Sequence, residues 1–289
     1  MNKERLIVIS GGGGYIGRSL IQRIINKTKW NIVAFSSSLV PIPDYEGRVL
    51  IRKNEEIDTW MPTMQGIDTC IHLAFSRRFR SNTDIALSLD FSAAFYKSAL
   101  ECGGRLINVS SVGVYGLNSG FPDERTTPAP DSLYSMAKYS SEVLMQSYFR
   151  ERGGFTNIRL SGIAQSQRIL PIFIENAKTT GVIQISGGKQ QFSWIDILDA
   201  ADAFIALIAY DGEWRNVYNV SLNKSRYSIV DLAEIVSRVA VFRGYKKTKV
   251  VLTPSDERPI CVGWNSEMFI NDTGWEPMVT ITETVEKMF

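Results

Sequence analysis

The sequence has little histidine and cysteine: one histidine, His72, and three cysteines, Cys70, Cys102 and Cys261, among 289 residues. A zinc ion usually needs three or four ligands, so a histidine-rich metal site is excluded. An odd number of distant cysteines is typical of reduced thiols in a cytoplasmic protein and argues against a disulfide framework. The sequence also lacks a Gly-x-Ser-x-Gly elbow, which argues against a serine hydrolase.

Long apolar runs and a strong charge of one sign are also missing. No apolar run approaches the roughly 18 residues of a membrane span, and the apolar stretch after Arg5 is too short for the core of a signal peptide. A net charge of +2, with 21% charged and 44% hydrophobic residues, gives no electrostatic basis for binding nucleic acid or a membrane surface. We therefore predict a cytoplasmic globular protein without nucleic-acid or membrane partners.

Apolar, strand-like segments alternate with helical patterns through the first 160 residues. Strands are predicted at 6–9, 31–35, 49–51, 69–74, 105–109 and 155–160, and helices at 14–26, 83–102 and 133–152. Alternating strands and helices form parallel sheets covered on both faces. The sequence thus predicts an α/β fold, a Rossmann-type doubly wound parallel sheet.

The pattern loosens after Leu160, where helices are predicted at 168–180, 195–210, 227–241 and about 281–288. We predict a dinucleotide-binding Rossmann domain over 1–165 and a smaller, substrate-binding C-terminal lobe over 166–289. The two are interleaved, because 190–220 is expected to pack back on the first domain.

A glycine-rich loop in LIVISGGGGYIGRSL separates the first predicted strand from the first predicted helix. It fits Gly-x-Gly-x-x-Gly at Gly12, Gly14 and Gly17, and Gly-x-x-Gly-x-x-Gly at Gly11, Gly14 and Gly17. Glycine permits positive φ angles and lets backbone N–H groups approach a pyrophosphate, to which the helix N-terminus adds partial positive charge. The strand–loop–helix context is the one this motif requires, so it predicts dinucleotide binding.

The second predicted strand ends in Ser36, Ser37 and Ser38 and lacks an acidic residue. A carboxylate there would bind the ribose 2′-hydroxyl of NAD and would repel the 2′-phosphate of NADP. The serine hydroxyls can donate to a phosphate, and Arg18 directly follows the glycine loop. The sequence therefore favours NADP over NAD and leaves both open.

Tyr134 and Lys138, in YSMAK, are four residues apart on a predicted helix and so share one face. A neighbouring ammonium stabilises phenolate and lowers the pKa of the tyrosine, which makes Tyr134 a candidate general acid/base. Tyr245 and Lys249 have the same spacing but follow a Gly244 break, and we interpret that pair as a coincidence.

Ser110 and Ser111 end the fifth predicted strand. Open α/β sheets bind ligands at the carboxyl ends of their strands. A serine hydroxyl at this edge can donate a hydrogen bond to a substrate carbonyl or alkoxide.

In this order, the motifs resemble those of extended short-chain dehydrogenases/reductases, the NAD-dependent epimerase/dehydratase family that acts on nucleotide sugars. The resemblance covers nearly the whole chain and includes FSWIDILDAADAFIAL near the substrate lobe. The family's Thr-Gly-x-x-Gly-x-x-Gly, His-Leu-Ala-Ala and Ser-Ser-x-x-Val-Tyr-Gly sequences are matched by SGGGGYIG from Ser10, HLAF from His72 and SSVGVYG from Ser110.

This resemblance implies a hydride-transfer site. Tyr134 would exchange a proton with the substrate oxygen, Lys138 would lower the pKa of Tyr134 and hold the nicotinamide ribose, and Ser111 would hydrogen-bond the reacting oxygen. The implied cofactor contacts are Gly11, Gly14, Tyr15, Ile16, Gly17, Ser36, Asn54, Leu73, Ala74, Tyr134 and Lys138.

Several positions depart from the family pattern. Asn54 replaces an acid on the adenine side, and Ala164-Gln165-Ser166 replaces Tyr-Gly-Pro. Phe192 stands where an arginine often grips the substrate diphosphate, with Gln190 and Gln191 beside it, whereas Arg258 matches a second diphosphate arginine. The implied substrate contacts are Ser111, Gln191 and Arg258.

We therefore predict an NAD(P)-dependent oxidoreductase that reduces a 4-keto nucleotide sugar. Two alternatives stay open: an NAD-dependent C4 epimerase that uses the same residues, and a non-catalytic NADP-binding sensor. The resemblance also implies a homodimer that pairs the long helices at about 83–102 and 133–152.

Overall fold

The computed structural model describes residues 4–37, 47–76, 82–117, 120–255 and 259–289. Its strands are β1 Leu6–Ser10, β2 Asn31–Ser36, β3 Val49–Lys53, β4 Ile67–His72, β5 Arg105–Ser111, β6 Phe155–Leu160, β7 Gly162–Ile163, β8 Val182–Ser186, β9 Gln191–Phe192, β10 Trp194–Ile195, β11 Val217–Val220, β12 Tyr227–Ser228 and β13 Lys249–Thr253. Its α-helices are α1 Tyr15–Lys27, α2 Ile57–Trp60, α3 Asn82–Glu101, α4 Leu133–Phe149, α5 Ile169–Thr179, α6 Ile197–Ala209, α7 Ile229–Phe242, α8 Glu267–Thr273 and α9 Ile281–Met288.

Seven of these strands form one parallel sheet in the order β11-β6-β5-β4-β1-β2-β3. Helices α1 and α6 cover one face, where Ile24 and Phe204 join the core. Helices α3 and α4 cover the other face with Phe95 and Met145. The predicted doubly wound parallel sheet is confirmed.

Local signals explain where the helices around the site begin and end. Ser132 caps α4, since its Oγ accepts a hydrogen bond from the Ser135 N–H at 3.2 Å. After α3 the chain turns at Gly103, whose φ is +81°, a conformation that favours glycine. These signals fix the turn that leads from α3 into β5 and the residue at which α4 begins.

Several predicted boundaries differ from the structure by a few residues, and for β4 the reason is identifiable. β4 begins at Ile67 and includes Asp68, whose carboxylate pairs with Arg5 at 2.6 Å and Arg105 at 2.9 Å. These partners let a charged residue lie within the strand, a position that apolar patterning alone does not indicate. α4 ends at Phe149, where the prediction continued the helix to residue 152.

The C-terminal part of the chain has a hydrophobic cluster of its own. Leu170 and Phe173 of α5, Leu232 of α7 and Val285 of α9 are buried together, next to the parallel pair β8 and β13. β11 returns from this part to pair with β6. The division of the chain at residue 165 stays a prediction. Within the described residues, no helix combines the length and apolar character needed to cross a bilayer.

Candidate active site

The glycine turn between β1 and α1 leaves no room for side chains. Gly11 has a φ of +73°, and a Cβ added there would lie 2.8 Å from the backbone nitrogen of Ala74. A Cβ on Gly17 would overlap the Gly11 carbonyl oxygen and lie 2.8 Å from the Gly12 Cα. The Gly14 N–H donates to the Gly11 carbonyl at 2.9 Å and closes the turn. Side-chain-free backbone therefore borders the first turn of α1.

The N-terminus of α1 is suited to an anion. Gly14 caps this helix and offers no side-chain acceptor to its first N–H groups, and the first turn carries no acidic residue. The partial positive charge of the helix end is therefore not neutralised by its own first turn. A phosphate at the glycine turn would meet both exposed backbone and a favourable dipole.

A cavity of about 320 Å³ lies at the carboxyl edge of the central sheet. It joins side chains from α1, α4, β5 and the segments that follow β4 and β6. The lining residues are Ile16, Leu73, Phe75, Val109, Ser110, Ser111, Tyr134, Lys138, Leu160, Ser161, Gly162 and Ile163. Five residues predicted from the sequence thus share one cavity: Ile16, Leu73, Ser111, Tyr134 and Lys138.

Lys138 is held at this cavity by two contacts. Its side chain is buried, and its Nζ donates to the Val109 carbonyl at 2.7 Å. The same ammonium lies 4.0 Å from the ring centroid of Phe75, a distance at which a cation is attracted to a ring face. Tyr134 packs edge-to-face on Phe75 with centroids 6.4 Å apart. Phe75 therefore contacts both members of the predicted pair.

The two serines that end β5 have different hydrogen bonds. The Ser110 hydroxyl donates to Glu142 Oε1 at 2.5 Å, so its proton is already engaged. The Ser111 Oγ accepts from the Gly113 N–H at 3.1 Å. That bond uses a lone pair of Ser111 and leaves its proton available to a substrate oxygen. The geometry favours Ser111 over Ser110 as a donor into the cavity.

His72, the single histidine, is satisfied inside the fold. Its Nδ1 lies 2.7 Å from the Ser10 Oγ and its Nε2 lies 2.9 Å from the Ser92 Oγ. Burial, and to a smaller degree the nearby ammonium of Lys138, lowers the pKa of His72 to about 3. The ring is therefore neutral near pH 7 and ties β1 and β4 to α3.

A buried ion pair lies behind Ser110. Arg159 of β6 donates to both carboxylate oxygens of Glu142, at 2.7 and 3.1 Å, and the two side chains are 5% and 2% exposed. Burial acts to lower the pKa of Arg159, but the bonds to Glu142 outweigh burial and raise it. Arg159 also donates to the Tyr115 hydroxyl at 2.9 Å, which donates to Asn219 Oδ1 at 2.8 Å. The bonds between Arg159 and Glu142 link β6 to α4 next to the cavity.

The ends of β2 and β3 bring three polar residues together. Ser36 and Lys53 are register partners, and Asn54 follows directly. Ser36 is buried, whereas Lys53 is exposed. The Oδ1 of Asn54 is buried and has no hydrogen-bond partner in the described part of the chain. The sequence predicts Ser36 and Asn54 as cofactor contacts, whereas the position of Lys53 beside Ser36 follows from the register of β2 and β3.

Tyr15 and Gln191 do not line the 320 Å³ cavity at the sheet edge, which is called the main cavity from here on. Tyr15 is 44% exposed, and its side chain borders a separate cavity of about 610 Å³. Gln191 lies in β9 and pairs with Ser228 of β12. Its neighbours Gln190 and Phe192 line a cavity of about 300 Å³ in the C-terminal part. Arg258 lies outside the described residues.

Comparison with known proteins places this geometry in a family. The profile of the NAD dependent epimerase/dehydratase family matches residues 7–221. The chain belongs to this family, which confirms the resemblance seen in the sequence.

Individual relatives are distant but span most of the chain. The dTDP-4-dehydro-6-deoxyglucose reductase of Escherichia coli is 23% identical over 316 residues, covering 98% of this chain and 96% of the relative. Among solved structures, RMD from Pseudomonas aeruginosa complexed with NADPH has a TM-score of 0.77 at 20% identity, covering 98% and 96% of the two chains. UDP-glucuronic acid 4-epimerase from Bacillus cereus in complex with NAD has a TM-score of 0.80 at 18% identity, covering 97% and 94%. At these identities the solved structures establish the fold.

Proposed function

We propose that this protein is an NAD(P)-dependent oxidoreductase that reduces a 4-keto nucleotide sugar and prefers NADP. The observation that carries the proposal is the single cavity shared by Ser111, Tyr134 and Lys138 next to the glycine turn. Family membership, together with the reductase among the relatives, supports the same reaction class.

The residues present fit a nicotinamide dinucleotide. The glycine turn and the uncapped start of α1 suit its pyrophosphate. The unpaired Oδ1 of Asn54 can accept a hydrogen bond from the adenine amino group. Lys53 beside Ser36 supplies a cation and a hydroxyl, both suited to a 2′-phosphate, at the position where NAD-specific proteins carry a carboxylate. This last feature supports NADP, although the fold accommodates either cofactor.

In the proposed reaction the carbonyl becomes an alcohol by gaining a hydride at carbon and a proton at oxygen. The bound reduced nicotinamide would supply the hydride. Tyr134 donates the proton to the oxygen as negative charge develops there. The Lys138 ammonium stabilises the resulting phenolate. Ser111 donates a hydrogen bond to the same oxygen, and this interaction strengthens as the alkoxide forms.

The substrate's nucleotide would occupy the C-terminal part of the molecule. Gln191 is proposed as a contact there, because its neighbours line a cavity of that lobe. Arg258 is proposed as a diphosphate contact from the sequence motif alone. We also propose that the protein acts in the cytoplasm, in keeping with its free thiols at Cys70, Cys102 and Cys261.

A homodimer is part of the proposal. α4 exposes an apolar stripe at Leu133, Met136 and Val143, which are 55%, 52% and 51% exposed. Residues three and seven apart share one face of a helix, so the stripe can pair with a second copy. Light scattering on the wild type and on Met136→Glu tests this directly. A monomeric wild type would refute the dimer.

A binding and turnover screen tests the function. NADPH and NADH are each offered with 4-keto and 4-hydroxy UDP-, dTDP-, GDP- and CDP-sugars. Net oxidation of NADPH by a 4-keto sugar is the expected result. Isomerised sugar without net cofactor oxidation would replace the reductase with a C4 epimerase. NADPH binding without any turnover, together with altered association with a protein partner, would replace it with a sensor.

A further inference from the structure

Ser161 has an unusual environment for a hydroxyl in the main cavity. It follows β6 directly and its side chain is 3% exposed, yet it lines the cavity. Its backbone N–H donates to the Val220 carbonyl at 2.9 Å. Its Oγ, by contrast, has no hydrogen-bond partner anywhere in the described residues. Buried hydroxyls are nearly always paired, so an unpaired one that lines a cavity is available to a polar group that enters the cavity.

The other polar groups of the cavity have partners or a proposed role. Ser110 donates to Glu142, Lys138 donates to Val109, and Ser111 and Tyr134 are proposed to act on the substrate oxygen. Among the cavity-lining side chains of the described residues, Ser161 carries the one buried hydroxyl without a hydrogen bond.

The segment around Ser161 is held in place by tight packing. A Cβ added to Gly162 would lie 2.9 Å from both the Gln167 Nε2 and the Trp194 Cδ1, so the backbone there is fixed between two side chains. Gly162 and Ile163 also pair with Trp194 and Ile195 as the strands β7 and β10. The backbone directly after Ser161 is therefore held by the pairing of β7 with β10.

The other side chains that line the cavity indicate which kind of ligand group could contact Ser161. Apolar side chains dominate the rest of the lining: Ile16, Leu73, Val109, Leu160 and Ile163. Such a wall suits the faces of a planar ring with a polar substituent. A carboxamide both donates and accepts hydrogen bonds, as a serine hydroxyl does. A ring that bears a carboxamide satisfies both the apolar wall and the unpaired Oγ.

We infer that the Ser161 hydroxyl hydrogen-bonds the carboxamide of the nicotinamide ring and thereby sets the orientation of that ring in the cavity. The inference rests on the proposed function in one respect, namely that the cavity binds a nicotinamide cofactor. Ser161 is a cofactor-positioning residue in this scheme and takes no part in proton transfer.

The test compares cofactor affinities of two serine-to-alanine variants. Ser161→Ala is the test variant. Ser193→Ala is the matched control, because the Ser193 Oγ is also buried and unpaired but does not line the cavity. Calorimetry measures the dissociation constants of NADPH and of two NADPH analogues. The 3-acetylpyridine analogue lacks the amide nitrogen, and the thionicotinamide analogue replaces the carbonyl oxygen with sulfur.

We expect Ser161→Ala to weaken NADPH binding about fivefold, as loss of one neutral hydrogen bond does. For at least one analogue, the ratio of the dissociation constant of Ser161→Ala to that of the wild type should be closer to one. Ser193→Ala should leave all three affinities within about twofold. If Ser161→Ala unfolds at a lower temperature than the wild type, Ser161→Cys supplies a variant of similar side-chain volume with a weaker hydrogen-bonding group.

Equal NADPH affinity in wild type and Ser161→Ala would overturn the inference while leaving the proposed function intact. Unchanged affinity combined with a raised KM for the sugar would assign Ser161 to the substrate, which also overturns it. If Ser161→Ala loses the same factor of affinity for NADPH and for both analogues, the carboxamide is not the hydrogen-bond partner of Ser161. A wild type that binds no pyridine nucleotide would refute the proposed function and this inference together.

Discussion

Two regions of the chain carry a tyrosine and a lysine four residues apart, and the structure gives them different environments. Tyr134 and Lys138 lie on one face of α4, share a cavity and both contact Phe75. Tyr245 follows the end of α7 and packs near Phe289, whereas Lys249 begins β13. Tyr245 and Lys249 are both exposed.

The comparison teaches that this spacing indicates a candidate catalytic pair only when one continuous helix carries both residues beside a cavity at the carboxyl edge of the sheet. The Lys138 ammonium is buried and hydrogen-bonded to the Val109 carbonyl, so its charge acts where water screens it less. An exposed lysine such as Lys249 acts through solvent, and its effect on a phenol is small. The surrounding sheet therefore gives the first pair the environment that the proposed proton transfer requires.

The largest effect, on kcat, is expected from removing the hydroxyl of Tyr134, and the same change at Tyr245 serves as its control. Tyr134→Phe should lower kcat about a thousandfold, since a general acid contributes that order of acceleration, while NADPH affinity falls by no more than about fivefold, the loss expected for one hydrogen bond. Tyr245→Phe, the matched control, should leave kcat unchanged. Steady-state kinetics with the substrate from the screen measures both. Turnover that survives Tyr134→Phe nearly intact would remove the distinction between the two pairs.

Burial should also separate the ion pair behind the first Tyr–Lys pair from an exposed ion pair elsewhere in the molecule. Glu142→Gln removes the charge opposite buried Arg159 and should lower the free energy of unfolding by about 3 kcal/mol. Glu267→Gln breaks a pair with Lys224 that has an equally short distance of 2.7 Å but is 45% and 52% exposed. That variant should unfold as the wild type does. Urea denaturation followed by circular dichroism measures both, and similar losses would contradict the role of burial.

Acidification should lower the stability of the folded protein through His72. The pKa of His72 is lowered to about 3 by burial, against 6.5 for a free histidine. The unfolded chain therefore binds a proton between these values and the folded chain does not, so stability falls as the pH drops below about 6.5.

From about pH 7.5 to about pH 5.5 this histidine should remove about 1.4 kcal/mol of stability. His72→Asn should be less stable at neutral pH but lose less stability on acidification. Urea titrations at the two pH values provide the comparison. Equal pH slopes for variant and wild type would show that His72 is not buried as a neutral group.

The smallest effect concerns cofactor choice. Lys53→Ala should weaken NADPH binding about fivefold, because a phosphate loses one charge-assisted contact, and should leave NADH binding unchanged. Lys249→Ala, a lysine at a strand start far from the glycine turn, is the control. Calorimetric titration with both nucleotides measures the ratio. A parallel loss for NADPH and NADH would move Lys53 away from the 2′-phosphate.

Much of the fold and the main cavity could be predicted from the sequence. The glycine loop, the serine pair and YSMAK each lie beside a strand or on a helix with a clear pattern. Because the carboxyl ends of parallel strands share one edge, their assembly follows from the order of the elements. Ile16, Leu73, Ser111, Tyr134 and Lys138 accordingly meet in one cavity.

Other features depended on contacts that a sequence does not reveal. Phe75 stands where the family motif has alanine, and its place between Tyr134 and Lys138 appears only in three dimensions. Ser161 belongs to no motif, and it became a candidate cofactor contact only because its buried Oγ has no hydrogen-bond partner in the described residues. Lys53 became a candidate contact for a 2′-phosphate only when strand register placed it beside Ser36. In the C-terminal part, where the motifs depart from the family, Gln191 could be placed but its ligand could not be predicted.

The position of β11 in the sequence, far after the other strands of the central sheet, has a consequence for protein engineering and for gene recombination. β11 completes the central sheet beside β6, although much of the C-terminal part precedes it in the chain. A polypeptide truncated near residue 165 would leave β6 as an open edge, a surface on which strands of other molecules can assemble. Chimeras that exchange the C-terminal part between relatives must therefore keep residues 197–220 with the N-terminal half if they are to escape aggregation.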